Sequence, residues 1–349
     1  MSTRTFAQNC WYVAACVDDV TKSEPLASTV AGEALVLYRD TSGSVVAMAD
    51  KCPHRLAPMS LGRVIGDDLR CMYHGLKFGP DGTCVEIPGQ PRVPKAMCID
   101  TYAVIESDRW VWVWIGDQAK ADPKLRPAEL GHGPRDGAMF EGTLTFEANH
   151  LLIHDNLCDF SHVSFVHENS LGSYTGGDDF ADQAPTTAYI ARGIRFDRWN
   201  ENVPKMGYLT NTGRMKTVDY WISYQYLLPG ILLMETGVYR PGTAAKIGYK
   251  RPEGLDAFMS SMNSQAVTPI DENRTKYYYS VTHPVTEPDY QASLKFRFAM
   301  AQLGFSEDKV MIEAQQRIID ANPHDPMRGI KHDKALNHFR KLIEKSAQA

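Results

Sequence analysis

Cys52-Pro53-His54, sixteen further residues, then Cys71-Met72-Tyr73-His74 is the stretch from which the rest of this chain can be read. As a pattern it is C-x-H…C-x2-H. Two cysteines and two histidines can hold either a zinc ion or a two-iron, two-sulfur cluster. The spacing separates these readings. Structural zinc sites usually pair like ligands, two cysteines close together and then two histidines. Here each half supplies one cysteine and one histidine. Two such loops, approaching from either side, place both thiolates on one iron and both imidazoles on the other. Gly62 and Gly75 give backbone amides room to approach the sulfides, and hydrogen bonds to sulfur tune the potential.

The surroundings of this motif read as β-structure. Ala34–Tyr38 and Val45–Met48 are short apolar runs separated by the turn cluster Asp40–Gly43, a hairpin signal. Trp110–Ile115 is aromatic and β-branched throughout and predicts a strand. Cys10, Cys16, Cys84 and Cys98 have no histidine at metal spacing and read as small core residues. From Gln118 to Pro134 the chain turns polar, which places a domain boundary there: residues 1–120, then 121–349. Beyond it the pattern predicts a helix over 147–163, strands that include Tyr220–Leu228, Ile231–Tyr239 and Tyr277–Thr282, and two C-terminal helices. Ser306 reads as the N-cap of the first, with Val310, Met311, Ala314 and Ile318 at helical spacing, and the second covers about 331–345. The fold class is α+β, an all-β domain followed by a domain of helices flanking a largely antiparallel sheet.

Bulk properties bound the function. With 349 residues the chain suits two domains, and 43% apolar with 23% charged residues is ordinary for a globular protein. A net charge of −5 leaves no footprint of nucleic-acid binding or of a polybasic membrane patch. No apolar run approaches the roughly 18–20 residues that span a bilayer, and the N-terminus lacks the apolar core of a signal peptide. The expected location is the cytoplasm, where seven cysteines, an odd number, argue for metal ligation before disulfides. No G-x-G-x-x-G follows a strand, so no dinucleotide site is expected.

The second constellation is Asp155-Asn-Leu-Cys-Asp159-Phe-Ser-His162-Val-Ser-Phe-Val-His167. Asp155, Asp159 and His162 would share a helix face. His162 and His167 are too far round one regular helix to converge, so the helix is expected to end or distort between them. Non-haem Fe(II) oxygenases complete two histidines with one carboxylate and keep positions open for O2. Asp308 is the candidate, with Glu307 and Glu313 as rivals. Asp159 would accept the N–H of His162 and fix its ring. His150 and His154 fit no complete ligand set and read as structural.

Together these residues resemble the oxygenase components of Rieske non-haem iron oxygenases, in the branch of vanillate O-demethylase, toluenesulfonate methyl-monooxygenase and dicamba O-demethylase. Cys52, His54, Cys71 and His74 meet the Rieske signature. Asp159, His162 and His167 meet the family's D-x2-H-x4-H iron signature, and Asp308 matches its distal carboxylate. Asn9–Ala15, Tyr73–Phe78 and Val85–Gln90 carry the likeness further. The resemblance implies a Rieske β-domain followed by a helix-grip catalytic domain, a [2Fe–2S] cluster, a mononuclear Fe(II) and O2 as co-substrate. It implies NAD(P)H used through a separate reductase, directly or by way of a ferredoxin. It also implies a head-to-tail homotrimer in which Asp159 bridges His162 to the neighbouring subunit's His74. The expected reaction is hydroxylation of a small aromatic acid by O-demethylation or methyl oxidation, its acid group meeting one of Arg192, Arg195, Arg198, Arg214, Arg240 or Arg297. A ring-dihydroxylating enzyme is the alternative within the family, and a Rieske electron carrier the alternative outside it.

Overall fold

β-strands built on the predicted apolar runs carry both halves of the chain. The computed structural model describes residues 6–127, 139–168, 170–171, 185–205, 214–283, 285 and 290–348. The chain divides into one unit of residues 1–128 with 268–272 and 345–349, and another of 129–267 with 273–344. The polar stretch after Gln118 runs partly outside the described residues.

Among the described residues of the first unit, eleven strands form three sheets. They are β1 (Cys10–Cys16), β2 (Leu26–Val30), β3 (Glu33–Arg39), β4 (Val45–Ala49), β5 (Arg63–Ile65), β6 (Asp68–Arg70), β7 (Lys77–Phe78), β8 (Cys84–Glu86), β9 (Thr101–Tyr102), β10 (Val104–Ser107) and β11 (Trp110–Ile115). The sheet orders are β1-β11-β10, β2-β3-β4-β9 and β5-β6-β7-β8. Every residue of β11 is buried, because it is the central strand between β1 and β10. That explains an unbroken apolar run where a half-exposed strand would alternate. The hairpin of β3 and β4 pairs Leu35 with Ala49 and Arg39 with Val45, and its turn is closed by the Gly43 N–H donating to Asp40 O at 3.0 Å. Cys52, Cys71 and Cys84 pack in one core cluster with Tyr38, Met48, Met59, Leu69 and Phe78. Cys10 and Cys16 are also buried, as expected, but Cys98 is exposed.

Among the described residues of the second unit is a sheet ordered β12-β18-β17-β16-β15-β14-β13. Its strands are β12 (Met139–Phe146), β13 (Thr186–Ile190), β14 (Gly193–Pro204), β15 (Thr217–Leu227), β16 (Ile231–Tyr239), β17 (Met259–Pro269) and β18 (Thr275–Thr282). The helices are α1 (His150–Cys158), α2 (Val163–Val166), α3 (Thr243–Lys246), α4 (Tyr290–Ala321) and α5 (Lys334–Ala347). Helix α4 lies on β12 and β18, held by rings with centroids 5.5 Å apart for Phe140 and Phe298 and 4.8 Å for Tyr279 and Phe305.

Three local expectations are corrected. The helix predicted over 147–163 ends at Cys158, because Asp159 takes an extended conformation (φ −139°) and starts a new turn. Ser306 is no N-cap: α4 begins sixteen residues earlier, and the Ser306 hydroxyl bonds back to Gln302 O at 2.7 Å within the helix. The apolar stripe of Val310, Met311 and Ile318 is exposed, while α4 buries Leu294, Arg297, Ala301, Gly304, Asp308, Ile312 and Gln316. Those seven recur at three- and four-residue spacing, so the inward face is helical in period but partly polar in composition.

Candidate metal centres

The two Cys–His loops of the first unit have one hydrogen-bond plan. The Cys52 N–H donates to Ala57 O and the Leu56 N–H to Cys52 O, both at 2.8 Å. The Cys71 N–H donates to Leu76 O at 2.8 Å and the Gly75 N–H to Cys71 O at 3.0 Å. Each turn needs a left-handed residue four positions after its cysteine, and these are Leu56 (φ +58°) and Gly75 (φ +80°). Both cysteines are buried in the core beneath, and both histidines stand at the surface with ring centroids 4.5 Å apart. Burial pushes the Cys52 thiol up, with Cys71 alongside adding to the effect, while backbone amides of His54 and Arg55 act against it. His74 is held below the usual imidazole range by desolvation and by the neighbouring His54 and Arg55. Two close buried sulfurs beneath two adjacent imidazoles fit a cluster with thiolates on one metal and histidines on the other.

The loops are alike but not interchangeable. A Cβ on Gly75 would lie 2.8 Å from Pro88 Cγ, whereas Leu56 is 72% exposed. Leu56→Gly is therefore expected to stabilise the protein by about 0.5–1 kcal/mol, the strain relieved less the entropy that glycine adds to the unfolded chain. Gly75→Ala should lower both the melting temperature and the cluster's visible absorbance. Thermal melts of the two variants check this, and equal behaviour would refute the asymmetry.

In the second unit, the break at Asp159 builds the other centre. Asn149 caps α1 by accepting the Leu151 N–H at 2.9 Å. At the far end the Asp159 carboxylate accepts the Ser161 N–H at 2.8 Å and starts the short turn Phe160–His162. On one regular helix His162 and His167 would point roughly 140° apart. With the break before His162 and α2 ending at Val166, just before His167, their ring centroids lie 5.4 Å apart. Helix α4 brings Asp308 to them: its Oδ1 is 3.5 Å from His162 Nε2 and 3.3 Å from His167 Nε2. The three ligand atoms lie within 4.8 Å of one another. Two imidazole nitrogens and one carboxylate oxygen grouped in this way could hold a single non-haem iron.

Each ring is oriented from behind. His162 Nδ1 donates to the backbone oxygen of Asp159 at 2.7 Å, so the carbonyl and not the expected carboxylate holds it. His167 Nδ1 faces Glu307 Oε2 at 2.8 Å. A proton held at Nδ1 leaves the Nε2 lone pair toward Asp308. Burial is the largest influence on both rings and holds His162 below the usual range; at His167 it is outweighed by Asp308 and Glu307, and the net shift is upward. Of the rival carboxylates, Glu307 stands behind His167, and Glu313 accepts the Glu147 N–H at 2.9 Å.

Asp155 pairs with Arg340, off the shared face expected for it. His154 bonds Tyr226, and burial pushes His150 down to about 4, which suits structural histidines. Asn156 joins the centre as well: its Nδ2 donates to Asp308 Oδ1 at 3.0 Å and lies 3.3 Å from His162 Nε2. Nothing in the sequence distinguishes it from any other polar residue on a helix.

A cavity of about 210 Å³ opens at the triad. His162, His167, Asp308 and Asn156 line it with Phe160, Ile222, Met234, Val281 and Phe305, and with the polar Asn263, Gln265 and Ser280. Of the six arginines considered, Arg297 lines it, donating also to Thr282 O at 2.5 Å and Ser261 Oγ at 2.7 Å. Arg198 lines a different cavity of about 320 Å³, beside Asp159.

Paired Cys–His loops in a β-domain, followed by a two-histidine, one-carboxylate group in an α+β domain, mark an iron–sulfur protein that activates oxygen at a second iron. Residues 10–102 match the Rieske [2Fe-2S] domain, and residues 146–349 match the vanillate O-demethylase oxygenase C-terminal domain. The chain is 36% identical to the toluene-4-sulfonate monooxygenase system iron-sulfur subunit of Comamonas testosteroni, over 99% of this chain and 98% of that one. It is 32% identical to the vanillate O-demethylase oxygenase subunit of Pseudomonas sp. strain HR199, over 97% and 94%. A crystal structure of dicamba monooxygenase with non-haem iron and dicamba superposes with a TM-score of 0.75 at 27% identity, covering 99% of this chain and 98% of that one. The chain belongs to the Rieske non-haem iron oxygenases. It is the oxygenase component of a multicomponent monooxygenase, and its cofactors are a [2Fe–2S] cluster and a non-haem iron. Among the described residues no helix is long and apolar enough to cross a membrane.

Proposed function

We propose that this oxygenase hydroxylates the methyl or methoxy carbon of a small aromatic acid, with O2 as co-substrate and electrons drawn from NAD(P)H through its reductase. The observation that carries the reading is the grouping of His162, His167 and Asp308 at a cavity with largely apolar walls. Its volume of about 210 Å³ lies below the roughly 300–1,000 Å³ of ordinary ligand pockets, which favours a single substituted ring. Cys52, His54, Cys71 and His74 hold the cluster; His162, His167 and Asp308 hold the iron. When bound, the cluster supplies single electrons and the ferrous ion, with positions left open, activates O2.

The chain's own residues do the rest. Phe160, Val281 and Phe305 exclude water and confine the ring beside the triad. Asn263, Gln265 and Ser280 offer hydrogen bonds that orient polar substituents. For a methoxy substrate the balance is ArOCH3 + O2 + 2e− + 2H+ → ArOH + HCHO + H2O, the hydroxylated carbon leaving as formaldehyde. We place the protein in the cytoplasm, the location expected from its sequence, and, on the strength of family resemblance, in a head-to-tail homotrimer with Asp159 bridging His162 to the neighbouring subunit's His74.

The purified chain with a surrogate reductase, NADH and a panel of methoxy- and methyl-benzoates and sulfonates tests this. Formaldehyde or a benzylic alcohol, formed in step with NADH, is expected. A cis-dihydrodiol, or peroxide alone across the panel, would overturn it.

A further inference from the structure

The two ring nitrogens that face away from Asp308 are held by groups of different charge. Behind His162 stands a neutral carbonyl, Asp159 O, supplied by the chain three residues before it. Behind His167 stands a carboxylate, Glu307, supplied from α4 and 140 residues distant in sequence. The Glu307 oxygen that faces His167 Nδ1 also accepts the hydroxyl of Ser170 at 2.5 Å, and Ser170 is fully buried. The Ser170 N–H in turn donates to His167 O at 2.9 Å, so ring, carboxylate and hydroxyl form a closed circuit.

Helix geometry makes the circuit possible. Consecutive helical residues point about 100° apart, so Asp308 can face the ligand nitrogens while Glu307 reaches behind the same ring. Gly304, one turn earlier on α4, leaves room for this. A Cβ there would stand 2.7 Å from Leu171 Cδ1 and 3.8 Å from His167 Nδ1.

We infer that Glu307 is a positioning residue that locks the His167 ring and lends it negative charge through Nδ1–H, making His167 the stronger donor of the two histidines. The inference goes beyond the proposed function, and it rests on that reading's assignment of His167 as an iron ligand. A carboxylate behind a ligating imidazole fixes its tautomer and raises its basicity, and losing such a partner typically costs about 10–100-fold in metal affinity. Two carboxylates, one direct and one through the ring, also offset the charge of a ferrous ion. Removing the outer one should favour the ferrous over the ferric state.

The test uses the full chain with its cluster loaded and the mononuclear iron stripped, titrated anaerobically with Fe(II). Glu307→Gln keeps an acceptor for the ring and loses the charge; Glu307→Ala loses both. Affinity for Fe(II) should fall in the order wild type, Glu307→Gln, Glu307→Ala, with the alanine variant about 10–100-fold weaker. The potential of the mononuclear iron should rise in both variants, and the electron paramagnetic resonance spectrum of its ferrous–nitrosyl complex should change. The cluster's visible spectrum should stay as in wild type, which reports folding. If the alanine variant does not fold, the near-isosteric glutamine variant still decides the charge effect. Wild-type affinity, potential and nitrosyl spectrum in Glu307→Gln would overturn the inference. A His167→Ala variant that keeps its full iron would instead overturn the ligand assignment beneath it.

Discussion

His167→Ala is expected to leave the protein folded and red-brown, with two irons per chain in place of three, and without product formation. His167 is 2% exposed, and its Nε2 lies 3.3 Å from Asp308 Oδ1. Alanine removes one of two neutral donors and leaves His162 and Asp308 with Asn156 beside them. A site reduced to one imidazole and one carboxylate should bind ferrous ion more weakly than any variant that loses only a hydrogen bond behind a ligand. The loss of turnover should therefore exceed about 100-fold. The deletion also opens a gap beside Gly304, which costs stability but lies far in sequence from the Cys–His loops. Iron analysis together with the visible spectrum separates the two centres: retained colour with one iron lost is the expected pair of readings. Loss of colour together with iron would point to misfolding, and retention of three irons would refute the ligand assignment.

The second large effect is expected for Asp159→Asn, and it has the opposite signature: both centres filled, but turnover down by about 100-fold or more, as for a group that works only as part of a unit. Asparagine keeps the acceptor that caps the Ser161 N–H at 2.8 Å, so the turn Phe160–His162 should survive. The backbone oxygen that accepts from His162 Nδ1 is untouched by the change, so ring orientation should survive as well. In the proposed bridge the backbone oxygen of Asp159 holds His162, and the carboxylate oxygen not used in the Ser161 cap accepts from the neighbouring subunit's imidazole. The substitution removes the charge and turns that oxygen into a donor, which disables the bridge. The measurement is anaerobic: reduced enzyme is mixed with O2 and substrate, and product is counted per iron. Three irons per chain with little product is the expected outcome. Wild-type product yield would remove Asp159 from any bridging role and leave it a capping residue.

The acidic stretch at 307–313 shows how far the residues can be read without coordinates. Spacing left Glu307, Asp308 and Glu313 as rivals, and family resemblance favoured Asp308. In the fold all three are engaged, each differently: Asp308 facing both Nε2 atoms, Glu307 behind His167, Glu313 on the Glu147 amide. A helix 32 residues long carries them, packed on β12 and β18 through Phe298 and Phe305. The hydropathy pattern pointed to the wrong face of that helix, because the buried face holds Arg297, Asp308 and Gln316.

The sequence by itself determined the cluster loops, the strands that support them and the pair His162 and His167. Those features are local: mixed Cys–His halves, unbroken apolar strands and short spacings carry their chemistry within a few residues. Only the tertiary structure decided that the helix breaks at Asp159 as well as between the histidines, that a carbonyl holds His162 while Glu307 holds His167, and that Asn156 belongs at the centre. The physical reason is that these depend on where a capped turn redirects the chain and on which turn of α4 lies over it. Both are set by aromatic packing and by buried hydrogen bonds between residues more than a hundred positions apart.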